Sequence, residues 1–344
     1  MKSPKLATHL LAAFSLLSFP AYLFSQNIQA DATRLSEPRY QGQLPPPVNS
    51  YPFKYWDKGY LIAYTAGDTS PSRPAAILYD RDGRIARQVT VWFKDADSVA
   101  IVDAAVSRSG NAVVAGGTES PTGAIANFIA SIGDDGRVRQ VIRTTPFTPA
   151  YICAGEDGTV WAYGHDRDEN GKRVEGSLRL LQYSFDKGQT RAMLDASVLG
   201  SPGWKLSHGH YPGEVELRCS SSKVGLLNGA SSEWVEFDIP SNKLKVSKIE
   251  PLPPIDQMRI TGVALTDSGE VFVSLHDRSS KPPRSGLFRL SFVGSDVGKW
   301  APVEDTVGPF LQGAKVGQLL GTDGTNLIYT RDLDGTAYWS KFTK

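Results

Sequence analysis

The sequence predicts an all-β chain, a six-bladed β-propeller of four-stranded antiparallel blades, from three observations. A turn-centred strand pattern recurs along it, a hairpin pattern follows most copies of the first, and the composition favours turns. With 33 Gly and 22 Pro in 344 residues, the chain suits many short strands better than long helices. Propellers are among the folds that reach this length as one domain.

The clearest copies of the first pattern align on a turn glycine: Asp103 to Gly117, Tyr151 to Asp166, Thr261 to Asp277 and Val316 to Asp332. Looser copies run from Lys54 to Asp68 and from Leu217 to Ser231. The second pattern is a hairpin, as in AILYDRDGRIARQVTV from Ala76, FIASIGDDGRVRQVIR from Phe128 and LLQYSFDKGQTRAML from Leu180. Further copies start at Trp234 and Gly286. Their Asp-Gly, Lys-Gly or Asn-Lys pairs stand where a tight turn needs positive φ or a side chain that bonds its own backbone. The flanking apolar residues alternate with polar ones at period two, as in strands packed on one face. Two hairpins make one four-stranded sheet, and a repeat of roughly 45 to 65 residues is that of a propeller blade.

The last unit ends early. Strands are expected at Gln318–Leu320, Asn326–Thr330 and Ala337–Phe342, after which the chain stops at Lys344. An open edge would leave backbone groups unpaired. A strand within Ser36–Leu44 is therefore expected to complete that blade, with Pro45, Pro46 and Pro47 as a stiff exit.

Before the repeats, Lys2 and Lys5 precede an apolar run from Leu6 to Phe24, with small residues Ser25 and Ala30 as cleavage points. This is a signal-peptide pattern; the alternative is an uncleaved anchor, for which the run barely reaches the roughly 20 residues a span needs. The expected organisation is a signal peptide and start of the mature chain at 1–30 and a single propeller domain at 31–344, secreted or periplasmic. A formal net charge of +1 with interspersed signs argues against nucleic-acid partners, and no membrane contact beyond the export signal is expected. A monomer binding a protein or small molecule, without a cofactor, is the reading that remains.

In its repeat grammar the whole mature chain resembles the broad β-propeller families, including the NHL, lactonase-like and regulator-type repeats. In the lactonase-like family the resemblance would imply a calcium site of Glu, Asn and Asp side chains on inner strands. Asp103, Asn111 and Glu156 are scattered here and do not match that set. A hydrolase or lyase with a site at the channel mouth is the alternative to a non-catalytic binding scaffold.

Propellers commonly bind ligands at the face carrying the loops between second and third strands and between blades. Two such loops open on the same triplet, His165-Asp166-Arg167 and His276-Asp277-Arg278, and a third carries Arg331-Asp332. The connection from Ser197 to Gly213 adds Trp204, His208 and His210. Together, His165, Arg167, Trp204, His208, His210, His276, Arg278 and Arg331 form the candidate ligand-binding set for an anionic or sugar-like ligand. The competing reading makes the Asp residues turn caps and the His residues products of blade duplication. His208 and His210 could reach a common metal ion, with Glu214 and Glu216 as further ligands, but an ordinary surface loop is preferred and no metal is expected. No G-x-S-x-G elbow or Cys–His signature is present, so the catalytic residues are unknown.

Cys153 and Cys219 occupy aligned positions on the first strands of consecutive units. In an exported protein two Cys can pair, provided their Cα atoms lie within about 7 Å; buried packing as free thiols is the alternative. Trp56, Trp92, Trp161, Trp234, Trp300 and Trp339 are expected mainly in the core between blades.

Overall fold

Alternating β-branched and aromatic residues, broken by glycine turns, place the chain in strands throughout. The computed structural model describes residues 34–35, 39–43, 53–80, 82–194, 215–228, 232–250, 258–277, 284–292, 296–303, 318–331 and 336–343, all within the compact unit Ala32–Lys344. Two N-terminal strands, β1 (Arg34–Leu35) and β2 (Arg39–Gln43), precede a first unit of β3 (Phe53–Asp57), β4 (Tyr60–Tyr64), a short β5 (Gly67–Asp68), β6 (Ala76–Tyr79) and β7 (Ile85–Val89). The second unit is β8 (Ser98–Val106), β9 (Ala112–Glu119), β10 (Ile125–Ile132) and β11 (Val138–Arg143). The third is β12 (Phe147–Ala154), β13 (Val160–Asp166), β14 (Arg179–Ser184) and β15 (Gly188–Leu194). The fourth is β16 (Val215–Cys219), β17 (Lys223–Asn228), β18 (Glu233–Asp238) and β19 (Lys243–Lys248). The fifth is β20 (Met258–Leu265), β21 (Val271–Asp277), β22 (Arg284–Ser291) and β23 (Lys299–Pro302), and the last strands are β24 (Gln318–Thr322), β25 (Asn326–Arg331) and β26 (Thr336–Thr343).

These strands make an all-β propeller, with one correction to the sequence reading: they form five hydrogen-bonded sheets, not six. Three sheets are the four-stranded units β12–β15, β16–β19 and β20–β23, and β5 joins β8–β11 as a fifth strand. The remaining sheet has nine strands, because the first and last units are bonded together by a parallel pairing of β24 with β3 at Gly321↔Trp56 and Thr322↔Asp57. A repeat count cannot show this fusion, since it depends on how closely two strands from opposite ends of the sequence approach. In the same sheet β26 pairs with β1 at Arg34↔Thr343 and with β2 at Arg39↔Trp339 and Gln43↔Thr336. The three prolines after β2 lie outside the described residues.

The turns follow the sequence chemistry. Between β3 and β4, Lys58 and Gly59 both have positive φ, 49° and 93°, as the tightest hairpin turns require. Glycine is also demanded where the inner strands crowd together. A Cβ on Gly262 of β20 would lie 1.8 Å from the Leu319 carbonyl oxygen of β24, and one on Gly321 would lie 1.9 Å from that of Trp56.

Apolar cores fill the spaces between successive units. Ile62, Leu78, Val99, Ile101 and Phe128 join the first unit to the second, and Ile129, Ile152, Ala162 and Leu181 the second to the third. Trp161 and Tyr163 pack with Leu217 and Phe237 between the third and fourth, while Trp56 and Tyr79 meet Leu320 and Ile328 where the last unit returns to the first. Trp56, Trp161 and Trp234 are buried and Trp92 and Trp300 partly so, as core tryptophans should be.

Candidate functional site

Four of the first strands carry an irregularity absent from the sequence reading. The register slips between Ile101 and Asp103 in β8, Pro149 and Tyr151 in β12, Ile260 and Gly262 in β20, and Leu319 and Gly321 in β24. A bulge adds an unpaired residue, bends its strand and re-aims the side chains that follow. In β8 that side chain is Asp103.

Asp103 is buried and ties three units together. Its Oδ1 accepts from Tyr64 Oη of β4 at 2.8 Å and from the Ala104 amide at 2.8 Å, and its Oδ2 accepts from the Ile152 amide of β12 at 2.7 Å. Burial raises its pKa from 3.8 to about 6, against the pull of the Ile152, Tyr64 and Ala104 donors. Tyr55 Oη donates to the Ala104 carbonyl, and burial, with Asp103 beside both rings, holds Tyr55 and Tyr64 well above the ordinary phenol range. Arg218 of β16 lies 5.1 Å above the Tyr55 ring. It pairs with Glu216 at 2.8 Å and donates to the Val263 carbonyl at 3.1 Å and the Leu217 carbonyl at 2.8 Å. Burial alone would loosen the Arg218 proton, but Glu216, Tyr55 and Asp103 outweigh it and the pKa is raised. Glu216, considered above as a ligand partner of His208 and His210, is thus engaged by Arg218.

Beyond this network a polar cavity of about 60 Å³ is lined by the turns that follow the first strands of all units. Asp57 and Lys58 come from the β3–β4 turn, Arg108 and Glu156 from the next two, Ser220 and Ser221 from β16–β17, Asp267 from β20–β21, and Asp323 from β24–β25. Lys58 pairs with Asp57 at 2.9 Å and Arg108 with Glu156 at 3.0 Å. Asp267 Oδ1 accepts from the Ser221 amide at 2.9 Å and Asp323 Oδ1 from the Asn326 amide at 2.9 Å. Burial raises the Asp57 pKa, against the attraction of Lys58. Among the described lining residues four carboxylates stand against two cations.

This cavity opens at the turn end of the propeller, opposite the loop face expected to bind ligand. His165 is buried on β13, its backbone opposite Thr148. Arg167 folds onto its own loop, donating from Nη1 to the Gly171 carbonyl at 2.6 Å, and Asp166 pairs with Arg179 at 2.6 Å. His276 lies on β21 opposite Arg259 and Ser285, and Arg331 ends β25 opposite Thr336; their side chains, with all of Trp204, His208, His210 and Arg278, lie outside the described residues. Among the described residues no set of three His, Cys, Asp or Glu side chains is placed to hold a metal ion.

Cys153 on β12 and Cys219 on β16 form a disulfide with Cα atoms 5.6 Å apart, and Cys219 also borders the acidic cavity. The aligned spacing offered this pair; Tyr55, Tyr64 and Arg218 carried no comparable sign, since a tyrosine in an alternating strand reads as core.

No protein-family model matches the chain, and no curated protein matches its sequence. Solved structures match it along most of its length. A Bacteroides fragilis protein whose name marks it as an export candidate covers 91% of this chain and 95% of its own, at 10% identity and a TM-score of 0.49. A gluconolactonase from Xanthomonas campestris covers 90% and 97%, at 11% identity and 0.43, and a luciferin-regenerating enzyme covers 91% and 95%, at 8% and 0.44. These likenesses concern overall fold and carry nothing about activity.

Proposed function

We propose that the protein is an exported, non-catalytic binding propeller that receives a small cationic group, an amine or the basic tip of a partner's loop, in the acidic cavity at its turn end. The observation that supports this reading is a division of labour among the inner acids. Asp103 is held by three donors and Glu216 by Arg218, so these carboxylates fasten strands, whereas Asp267 borders an open cavity and no described cation forms an ion pair with it. A disulfide between buried cysteines suits an oxidising compartment and, with the apolar N-terminal run, supports export. A ligand of the native state raises apparent stability, so alkylamines and guanidinium compounds should shift the melting temperature upward. Asp267→Asn, which keeps an acceptor for Ser221, should reduce that shift; an unchanged shift would place the ligand elsewhere.

The same reading assigns β2 the role of a clasp, its pairing with β26 covering an edge that would otherwise stand open. Deleting residues 1–43 should therefore produce a chain that associates through that edge, seen as larger species by light scattering. A deleted chain that stays monomeric with an unchanged melting temperature would show that the pairing closes nothing.

A further inference from the structure

The whole chain is nearly neutral, with 37 basic and 36 acidic residues, yet its outermost strands carry charge of one sign. One basic residue stands on β7, two on β11, one on β15, three on β19 and one on β23, and none of these strands contains an Asp or Glu. Strands β1 and β2 add one Arg each and no acid. Acids are instead found in the cavity at the axis and in the hairpin tips leading to the rim, such as Asp82, Asp134, Asp186 and Asp238.

Part of this basic band is internally balanced: Arg87 pairs with Asp134 at 2.7 Å, Lys248 with Glu233, and Lys299 lies 3.9 Å from Glu250. Arg139, Arg191, Lys243 and Lys245 are exposed and in no ion pair among the described residues. Arg191 donates to Asn242 Oδ1 at 2.7 Å, which brings the edge of the third unit against that of the fourth, where Lys243 and Lys245 stand. Charges on edge strands discourage strand-to-strand association, but a carboxylate does so as well as an ammonium. Edge protection therefore accounts for the presence of charge and leaves the choice of one sign unexplained.

We propose that the rim binds a linear polyanion, an acidic polysaccharide that follows the outer strands from one unit to the next. A flat anionic bilayer would meet only one arc of the rim, whereas exposed cations stand on the outer strands of four successive units, β11, β15, β19 and β23, and a flexible chain can reach them in succession. Such contacts release counterions and weaken as salt rises.

The test is fluorescence anisotropy of labelled dextran sulfate titrated with the full mature protein, with neutral dextran and vesicles containing phosphatidylglycerol as comparisons. Binding at about 50 mM salt, weakened at least tenfold at about 300 mM, is expected for dextran sulfate alone. The triple variant R139E/R191E/K243E should lose at least tenfold in affinity while remaining folded and monomeric, since either sign protects an edge. Absence of binding, an unchanged affinity in the triple variant, or binding to vesicles without binding to dextran sulfate would each overturn the proposal.

Discussion

Replacing Cys153 and Cys219 together with alanine should lower the unfolding free energy by roughly 4 kcal/mol, the chain-entropy value for a closed loop of this size. The bridge spans 66 residues, and without it the denatured chain regains the freedom to separate β12 from β16. The bonded sulfurs also lie in the buried core shared by the third and fourth units, so the loss adds a small packing defect. For a domain of this size the change corresponds to about 6 °C in melting temperature. Calorimetry of wild type with and without reductant provides the check. Reduction should reproduce the variant's loss, and the variant should ignore reductant; a difference below about 1 kcal/mol would mean that the cross-link constrains little.

The second large effect is expected at Asp103. Asp103→Ala removes the acceptor of the Ile152 and Ala104 amides and one partner of Tyr64, and each buried donor left without an acceptor costs about 1–3 kcal/mol. Relief of the buried charge offsets part of that, so a net loss of roughly 3 kcal/mol at neutral pH is expected, read from denaturant midpoints. Asp103→Asn isolates the titration. Because the folded carboxyl has a pKa of about 6 against the usual 3.8, the native state binds more protons than the unfolded chain between those values. Stability from this group is therefore greatest below about pH 4 and falls as pH rises to 6, by an amount on the order of 3 kcal/mol, then stays level. Asparagine has no proton to exchange, so the difference between wild type and variant should change across this window and be flat above it. A difference independent of pH would contradict the buried, raised carboxyl.

How much of this was open to sequence reading depends on whether a feature is local. The strands of the last unit were expected at Gln318–Leu320, Asn326–Thr330 and Ala337–Phe342 and run Gln318–Thr322, Asn326–Arg331 and Thr336–Thr343, because alternation and turn glycines act over a few residues. The sheet count was not legible: the pairing of Gly321 with Trp56 depends on a missing Cβ and on the close approach of strands from opposite ends of the sequence. The axial network was hidden for a related reason. Asp103, Tyr55, Tyr64 and Arg218 stand far apart in sequence, and a one-residue bulge in β8, invisible to a period-two pattern, sets the strand geometry at Asp103. The repeated triplet is legible as a pattern but does not show that His165 is buried on β13 or that Arg167 bonds its own loop.

The central claim is that this propeller binds at its acidic axial cavity and does not turn its ligand over. The most direct measurement is a thermal-shift screen of the protein from Asp31 onward against amines, guanidinium compounds, sugars, divalent metals and lactones, with each stabilising compound recovered and analysed afterwards. Upward shifts confined to cationic compounds, diminished in Asp267→Asn and leaving those compounds intact, are the predicted result. A metal-dependent conversion of a lactone that is lost in Asp103→Asn would contradict it and make the inner carboxylates a reaction centre.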